Sequence, residues 1–270
     1  MTVPGALPPD VPLDKPSPAR MYDYLLGGFH NFAVDRRAAE AAIAIYPEMR
    51  LLARANRAFL GRAVTFLLDQ GIDQFLDIGS GIPTVRNVHE VAQERHPTAR
   101  VVYVDSDPVA VRHSTLLLQD QPNAAVIQAD ARQPAQILQH PTVQQLLDFT
   151  KPLGVLLVAL LHFIVDDAAA AGLVRELRAA MPAGSYLVLS HGTPPELPPG
   201  SAAEMRAVYA RSTNPARARS HAEIAAFFGG LELVDPGLVY VPLWRPDSPH
   251  EPLRDAPART AFLAGVGRKP

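Results

Sequence analysis

The sequence predicts an α/β fold, with one parallel sheet buried between helices. Two observations carry this. Short, largely apolar, β-branched runs recur along the chain: "QFLDIG" (74–79), "RVVYVD" (100–105), "AAVIQAD" (124–130), "LGVLLVALL" (153–161) and "SYLVLSH" (185–191). Segments that read as helical separate them, roughly at 84–95, 108–119, 134–148 and 167–181. Apolar strands alternating with helices are the pattern of a parallel sheet covered on both faces.

Taken in order, residues 1–16 hold many prolines and read as a loose arm. Ser17 and Pro18 start a short helix that Gly27 and Gly28 end. A second short helix runs from about Asp35 to Tyr46 and stops at Pro47. From Arg50 to Gln70, Leu52, Ala55, Phe59, Ala63 and Leu67 recur at helical spacing, with Gly71 as terminator. Residues 17–71 are therefore a helical cap, and residues 72–270 the sheet domain. Near the end, "GLELVDPGLVYVPLW" (230–244) and "ARTAFLAGVGRKP" (258–270) read as two more strands, which brings the sheet to seven. Ser220 and Glu223 make a helix capping box.

Bulk composition narrows the functional classes. At 270 residues and 48% hydrophobic, the chain is long enough for one large α/β domain with decorations or for two small domains, and no linker inside residues 20–270 splits it. A net charge of −2 gives no basic excess for a phosphate backbone, so nucleic acid is not the expected partner. With no cysteine there is no disulfide, thiolate metal site or thiol nucleophile, in keeping with a reducing cytoplasm. The N-terminus lacks a signal-peptide pattern, and the longest apolar run, residues 153–165, is too short to span a bilayer. Arginine far outnumbers lysine, and alanine and proline abound, a composition associated with GC-rich bacterial genomes.

In open α/β sheets, ligands bind beyond the carboxyl ends of the strands. Those ends read Asp77-Ile78-Gly79-Ser80-Gly81, then Asp105-Ser106-Asp107, then Asp130-Ala131, then Leu161-His162-Phe163. Gly79 and Gly81 permit a tight turn and close approach of a ligand to bare backbone. The next helix would offer free N–H groups to an anion. Asp105 can accept two hydrogen bonds from ribose hydroxyls, and Asp130 one from an adenine amine. Asp77 would organise the loop or face an ammonium or sulfonium. These turns favour S-adenosylmethionine as cofactor. The rival is a nicotinamide dinucleotide, but its G-x-G-x-x-G fingerprint is broken here by Thr84. Asp105 as a plain helix cap and Asp130 as a turn residue remain the alternatives for those positions. Asp166 and Asp167 read as helix N-cap and first-turn acid in preference to metal ligands, and no metal site is expected.

Several segments together resemble a known family: "PARMYDYLLGG", "NFAVDR", "ANRAFLGRAV", "FLDIGSGIPT", "NVHEVAQ", "VVYVDSDPVA" and "AEIAAFFGGLELVDPGLVYVPLWRPD". They are similar to the bacterial S-adenosylmethionine-dependent methyltransferases long catalogued as a domain of unknown function, over about residues 16–268. The resemblance implies a class I methyltransferase (Rossmann-like) fold, with a seven-stranded sheet in the order 3-2-1-4-5-7-6 and strand 7 antiparallel. It implies cofactor contacts at the glycine turn, at Asp105 and at Asp130. It implies no particular substrate. After its paired glycines this chain carries Phe29 and His30, where the family pattern suggests a polar or charged residue.

The full cofactor set is thus Asp77, Gly79, Ser80, Gly81, Asp105, Ser106, Asp130, Ala131 and Leu160. Tyr22 and Asn31 join it from the N-terminal helices, which would fold over the cofactor as a lid. Arg54 and Arg57 lie near each other on the long helix and are candidates for the methionyl carboxylate or an acidic substrate. The fourth strand lacks the Asn/Asp-Pro-Pro-Tyr/Phe motif that holds a target nitrogen. His162 stands there instead, as in small-molecule O-methyltransferases, and is a candidate base for a hydroxyl proton; a structural histidine is the competing account. His191 is a weaker candidate. The expected partner is a small molecule. A cofactor-binding protein without turnover and a nucleotide-dependent oxidoreductase are the other functional readings.

Overall fold

The computed structural model describes residues 13–84, 86–194, 200–248 and 251–270. Residues 1–12 of the expected arm therefore lie outside the described residues. Three helices come first: α1 (Pro18–Leu25), α2 (Ala33–Ile45) and α3 (Met49–Asp69). Pro18 opens α1 as expected, but the Ser17 side chain makes no cap. Its backbone N–H donates to Asp35 Oδ1 at 2.9 Å, and Phe32 N donates to Asp35 Oδ2 at 2.8 Å, so one buried carboxylate ties both helix starts. Arg20, also buried, sits 3.2 Å from Asp35.

Then follow β1 (Gln74–Ile78), α4 (Val88–Arg95), β2 (Arg100–Asp105), α5 (Pro108–Leu117), β3 (Ala124–Gln128), α6 (Pro134–Leu138), α7 (Pro141–Leu146), β4 (Gly154–Val158), α8 (Asp167–Ala180) and β5 (Tyr186–Gly192). The chain closes with α9 (Ser201–Ala210), α10 (His221–Ala226), β6 (Glu232–Leu233), β7 (Val239–Tyr240) and β8 (Phe262–Arg268). The sheet runs β3-β2-β1-β4-β5-β8-β6, with β7 also paired to β8. The first five strands pair in parallel, and β8 lies antiparallel to β5. Strand order and the antiparallel last strand match the expectation.

Alternation along the strands divides two cores. Phe75, Val101, Leu156 and Val188 face α3 and α4, while Leu76, Val102, Val155 and Leu187 face α8. A third cluster joins Met21, Leu25, Ala42, Leu52 and Ala53 of the first three helices to Met205, Val208 and Tyr209 of α9.

Four expectations are corrected. The single strand over 230–244 is two short strands, because Pro236 has no N–H to donate and the chain turns at Gly237. The sheet therefore has eight strands. The helix over 134–148 breaks before Pro141 for the same reason. The fourth strand ends at Val158; Ala159 takes φ 57°, and residues 161–163 form a 3-10 turn. Finally, α9 was not read from the sequence.

Candidate functional site

One cavity of about 700 Å³ opens beyond the carboxyl ends of β1 to β4 and under the N-terminal helices. Asp77, Gly79, Ser80, Gly81, Asp105, Ser106, Asp130, Ala131, Leu160, Tyr22 and His162 all line it. Turns that follow adjacent parallel strands emerge side by side, which is why residues far apart in sequence meet here.

The glycine turn is fixed by backbone. Gly79 and Gly81 adopt φ +76° and +68°, and Gly79 N donates to Val104 O at 2.8 Å. A Cβ on Gly79 would stand 2.6 Å from Leu160 Cδ1, so Leu160 rests directly on the turn. Gly81 N donates to Asp105 Oδ2 at 2.7 Å, and Asp107 N to Asp105 Oδ1 at 2.8 Å. Asp105 thus braces two neighbouring turns; the helix cap is Asp107, whose Oδ1 accepts from Val109 N and Ala110 N. Asp105 is buried, only 8% exposed. Burial pushes its pKa up to about 6, against the pull of these N–H donors. Asp77 is pushed up to about 7, chiefly by burial, with Arg57 pulling it down and Asp105 adding repulsion. The Ser80 hydroxyl is buried and has no hydrogen-bond partner among the described residues.

Asp130 and Ala131 close the far wall. Arg132 Nε and Nη2 lie 2.9 and 2.5 Å from Asp130 Oδ2 and hold its pKa below the usual carboxylate range. Arg57 lines the cavity and donates to Asn87 Oδ1 at 3.0 Å, whereas Arg54 is exposed and does not line it. The expected anion site at the next helix is corrected. Helix α4 starts at Val88 rather than near 84, and Asn87 N already donates to Glu90 Oε2 at 2.8 Å.

Tyr22 reaches the cavity, with its hydroxyl engaged elsewhere. It donates to Ala53 O and accepts from Asn56 Nδ2, both at 3.0 Å. Asn56 Oδ1 takes the Ser190 hydroxyl at 2.6 Å, and Ser190 Oγ takes Ala159 N at 2.9 Å. One buried chain of bonds therefore links α1, α3, β5 and the turn after β4. Asn31 is a correction: it does not line the cavity. Its Nδ2 donates to Asp23 Oδ2 at 2.7 Å and Gly28 O at 2.9 Å, while its Oδ1 accepts from Arg36 at 3.0 Å. Phe29 is 89% exposed, and His30 packs on His113; neither lines the cavity.

His162 sits on the 3-10 turn, buried against Phe163, His191 and Phe262. Among the described residues, neither its buried Nδ1 nor its Nε2 has a hydrogen-bond partner. Burial holds its pKa well below the ordinary histidine value, helped by His191 and Arg219. His191 is structural. Its Nδ1 meets Gly192 O at 2.7 Å, which fixes the proton on Nδ1 and leaves Nε2 to accept from Arg219 Nη1 at 2.9 Å. Arg219, buried, also donates to Leu161 O at 2.9 Å and Ile164 O at 2.8 Å, clamping the turn that carries His162. Asp166 caps α8 through Ala169 N at 2.7 Å, as expected.

Sequence reading missed the opposite wall: Leu25, Tyr46, Met49, Met205, Tyr209 and Phe262. Part of it was readable, since Met205, Val208 and Tyr209 follow helical spacing after Gly200.

No helix among the described residues is long and apolar enough to cross a membrane. No curated protein matches the sequence. The chain matches the S-adenosyl methyltransferase family over residues 5–270. It is similar to the crystal structure of a candidate methyltransferase from Thermobifida fusca YX, at 43% identity and TM-score 0.89, over 97% of this chain and 98% of that one. It is equally similar to a DUF574 family protein from Streptomyces avermitilis, at 41% identity and TM-score 0.90, over 96% and 99%. The dinucleotide reading is thereby set aside: the chain belongs to the S-adenosyl methyltransferase family and is a methyltransferase that uses S-adenosyl-L-methionine.

Proposed function

We propose that this methyltransferase acts on a hydroxyl oxygen of a small molecule, with His162 receiving the hydroxyl proton. The observation that carries the reading is His162 itself. It lines the cavity two residues beyond Leu160, which rests on the glycine turn, and neither ring nitrogen is bonded to a described residue. A neutral imidazole with a free lone pair accepts a proton from a hydroxyl.

The residues of the strand-end turns fit the cofactor. Asp105 keeps a lone pair on each carboxylate oxygen beyond its two N–H bonds, enough for two ribose hydroxyls. Asp130 and Ala131 take the adenine edge once Arg132, itself exposed, swings aside. The buried, unpartnered Ser80 hydroxyl, the absence of a Cβ on Gly79 and the nearby Arg57 suit the methionyl end. Tyr22 offers its ring face, since its hydroxyl is committed. Bound there, S-adenosylmethionine supplies an electrophilic methyl carbon whose bond to sulfur breaks with the electron pair passing to sulfur.

The protein's part is to position the partners and take a proton. The helices over residues 17–46 roof the cavity, so we read them as a lid that excludes water. An acceptor small enough to share about 700 Å³ with the cofactor follows from the cavity size. The test uses S-adenosylmethionine with a labelled methyl group and a pool of small hydroxyl and amine compounds, read by mass spectrometry. Label in an ether supports the reading, as does its loss in His162→Ala with cofactor binding retained. Label on nitrogen alone contradicts it.

A further inference from the structure

We infer that the end of the cavity away from the glycine turn selects an uncharged aromatic hydroxyl compound, with Tyr209 of α9 as the specificity residue. This rests on the methyl-transfer reading above and names the class of acceptor.

The first observation is shape. Phe163 and Tyr209 lie 6.0 Å apart between ring centroids, and Phe262 stands edge-on to His162 at 5.3 Å and 78°. Met205 and Met49 complete this apolar wall. Flat rings and flexible thioethers receive a planar aromatic body by offset or edge contacts.

The second observation is charge. The carboxylates on the cavity wall are Asp77, Asp105, Asp107 and Asp130, and all four stand in or just after β1, β2 and β3. Among the described residues no carboxylate lines the aromatic end. The cations there are Arg206 and Arg217, and Arg217 is held by Asp167 and Glu223. A protonated amine would be desolvated there without a counter-ion, which is unfavourable.

The third observation is the pair of uncommitted polar groups. The Tyr209 hydroxyl bonds no described residue, like the ring nitrogens of His162, and both side chains flank Phe163. Burial pushes the Tyr209 hydroxyl up to about 12, so it stays a neutral donor at physiological pH. One acceptor hydroxyl satisfies both groups. It donates its proton to His162, accepts from Tyr209 on one lone pair, and keeps the other for the methyl carbon. An alkyl ammonium matches neither the charge nor the donor pattern; an aromatic amine is uncharged, but its single nitrogen lone pair is needed by the methyl carbon and leaves none to accept from Tyr209.

The experiment measures equilibrium binding of β-naphthol, β-naphthoate and β-naphthylmethylammonium to the protein saturated with S-adenosylhomocysteine. We expect β-naphthol to bind about tenfold or more tighter than either ion, the ratio that one desolvated charge or one lost hydrogen bond produces. Tyr209→Phe keeps the ring and should weaken β-naphthol about fivefold, with S-adenosylhomocysteine affinity unchanged. The inference falls if β-naphthol shows no saturable binding, if either ion binds as tightly, or if Tyr209→Phe leaves β-naphthol affinity as it was. Failure of S-adenosylhomocysteine to bind the unmodified protein would instead overturn the assignment of the cofactor end.

Discussion

The two ends of the cavity are built from different material. At the glycine turn, polarity is carried by short turns that follow β1, β2 and β3, and backbone amides hold three of the carboxylates: Gly81 N and Asp107 N hold Asp105 from both sides, Val109 N and Ala110 N hold Asp107, and Arg132 N holds Asp130. At the aromatic end, the surface is made of single side chains from elements far apart in the chain: Leu25 from α1, Met49 from α3, Tyr209 from α9 and Phe262 from β8. The first end cannot change one residue without disturbing a turn. The second can exchange an apolar side chain for another at the cost of local packing alone. On the function proposed above, this organisation would let the acceptor end change while the cofactor end is kept.

The contrast is broken most severely at Gly79. Gly79→Ala places a Cβ against Leu160 at a residue with φ +76°. The left-handed backbone alone costs about 1–2 kcal/mol for a non-glycine residue. The turn must also move, and we expect S-adenosylhomocysteine affinity to fall by roughly 10²-fold, about 2.7 kcal/mol. Calorimetry and thermal melting read both effects. Parent-like affinity would mean that the turn does not contact the cofactor.

The next largest effect joins the two ends. Arg219→Lys keeps the charge but cannot reach Leu161 O, Ile164 O and His191 Nε2 together. Leaving those buried acceptors unpaired costs about 1–3 kcal/mol of stability. Product formation should fall more than cofactor affinity does, because the clamped turn presents His162. Equal losses in both would show that the clamp serves the whole cavity.

How much of this was legible follows the same division. The strands, their order and the glycine turn were readable because period-two apolar runs and Gly-x-Gly chemistry are local signals. Asp77, Asp105 and Asp130 were readable because strand ends converge in this topology. Asn31 was misplaced: a polar residue after two glycines looks like a ligand contact, but here it closes its own loop onto Asp23. Pro141 and Pro236 announced breaks that the apolar pattern around them concealed. Apart from the α9 residues, the aromatic wall was illegible because nothing in the local pattern around Tyr46 or Phe262 says which distant side chain it will meet. The brace formed by Asp105 was hidden for a related reason, since hydrogen bonds to turn amides leave no mark on composition.

A smaller effect sharpens the electrostatic side of the comparison. With pKa values near 7 and 6, Asp77 and Asp105 bind protons more tightly folded than unfolded. Their contribution to stability is present below their ordinary values and is lost as pH rises through about 6 and 7. A ligand that donates hydrogen bonds favours the ionised carboxylates. S-adenosylhomocysteine affinity should therefore rise between about pH 5 and pH 8, with protons released on binding. The gap in melting temperature between bound and free protein should widen over the same range. Burial holds His162 well below the ordinary histidine value, the opposite direction from these two carboxylates. Calorimetry in buffers of different ionisation enthalpy measures the proton count, and a count of zero at pH 6 would contradict the assignment.

The most direct measurement is a calorimetric titration of S-adenosylhomocysteine into three proteins: the parent, Asp105→Ala and Tyr209→Phe. Charge-assisted hydrogen bonds to two ribose hydroxyls are worth about 1.5–3 kcal/mol each. Asp105→Ala should therefore weaken binding by roughly 10²-fold or more. Because Asp105 also braces two turns, Asp105→Asn is the control: it keeps an acceptor oxygen and should fall between the two. Tyr209→Phe should bind like the parent, since its hydroxyl belongs to the other end. If Asp105→Ala bound like the parent, or Tyr209→Phe lost affinity to the same degree, the division of this cavity into a cofactor end and an acceptor end would be wrong.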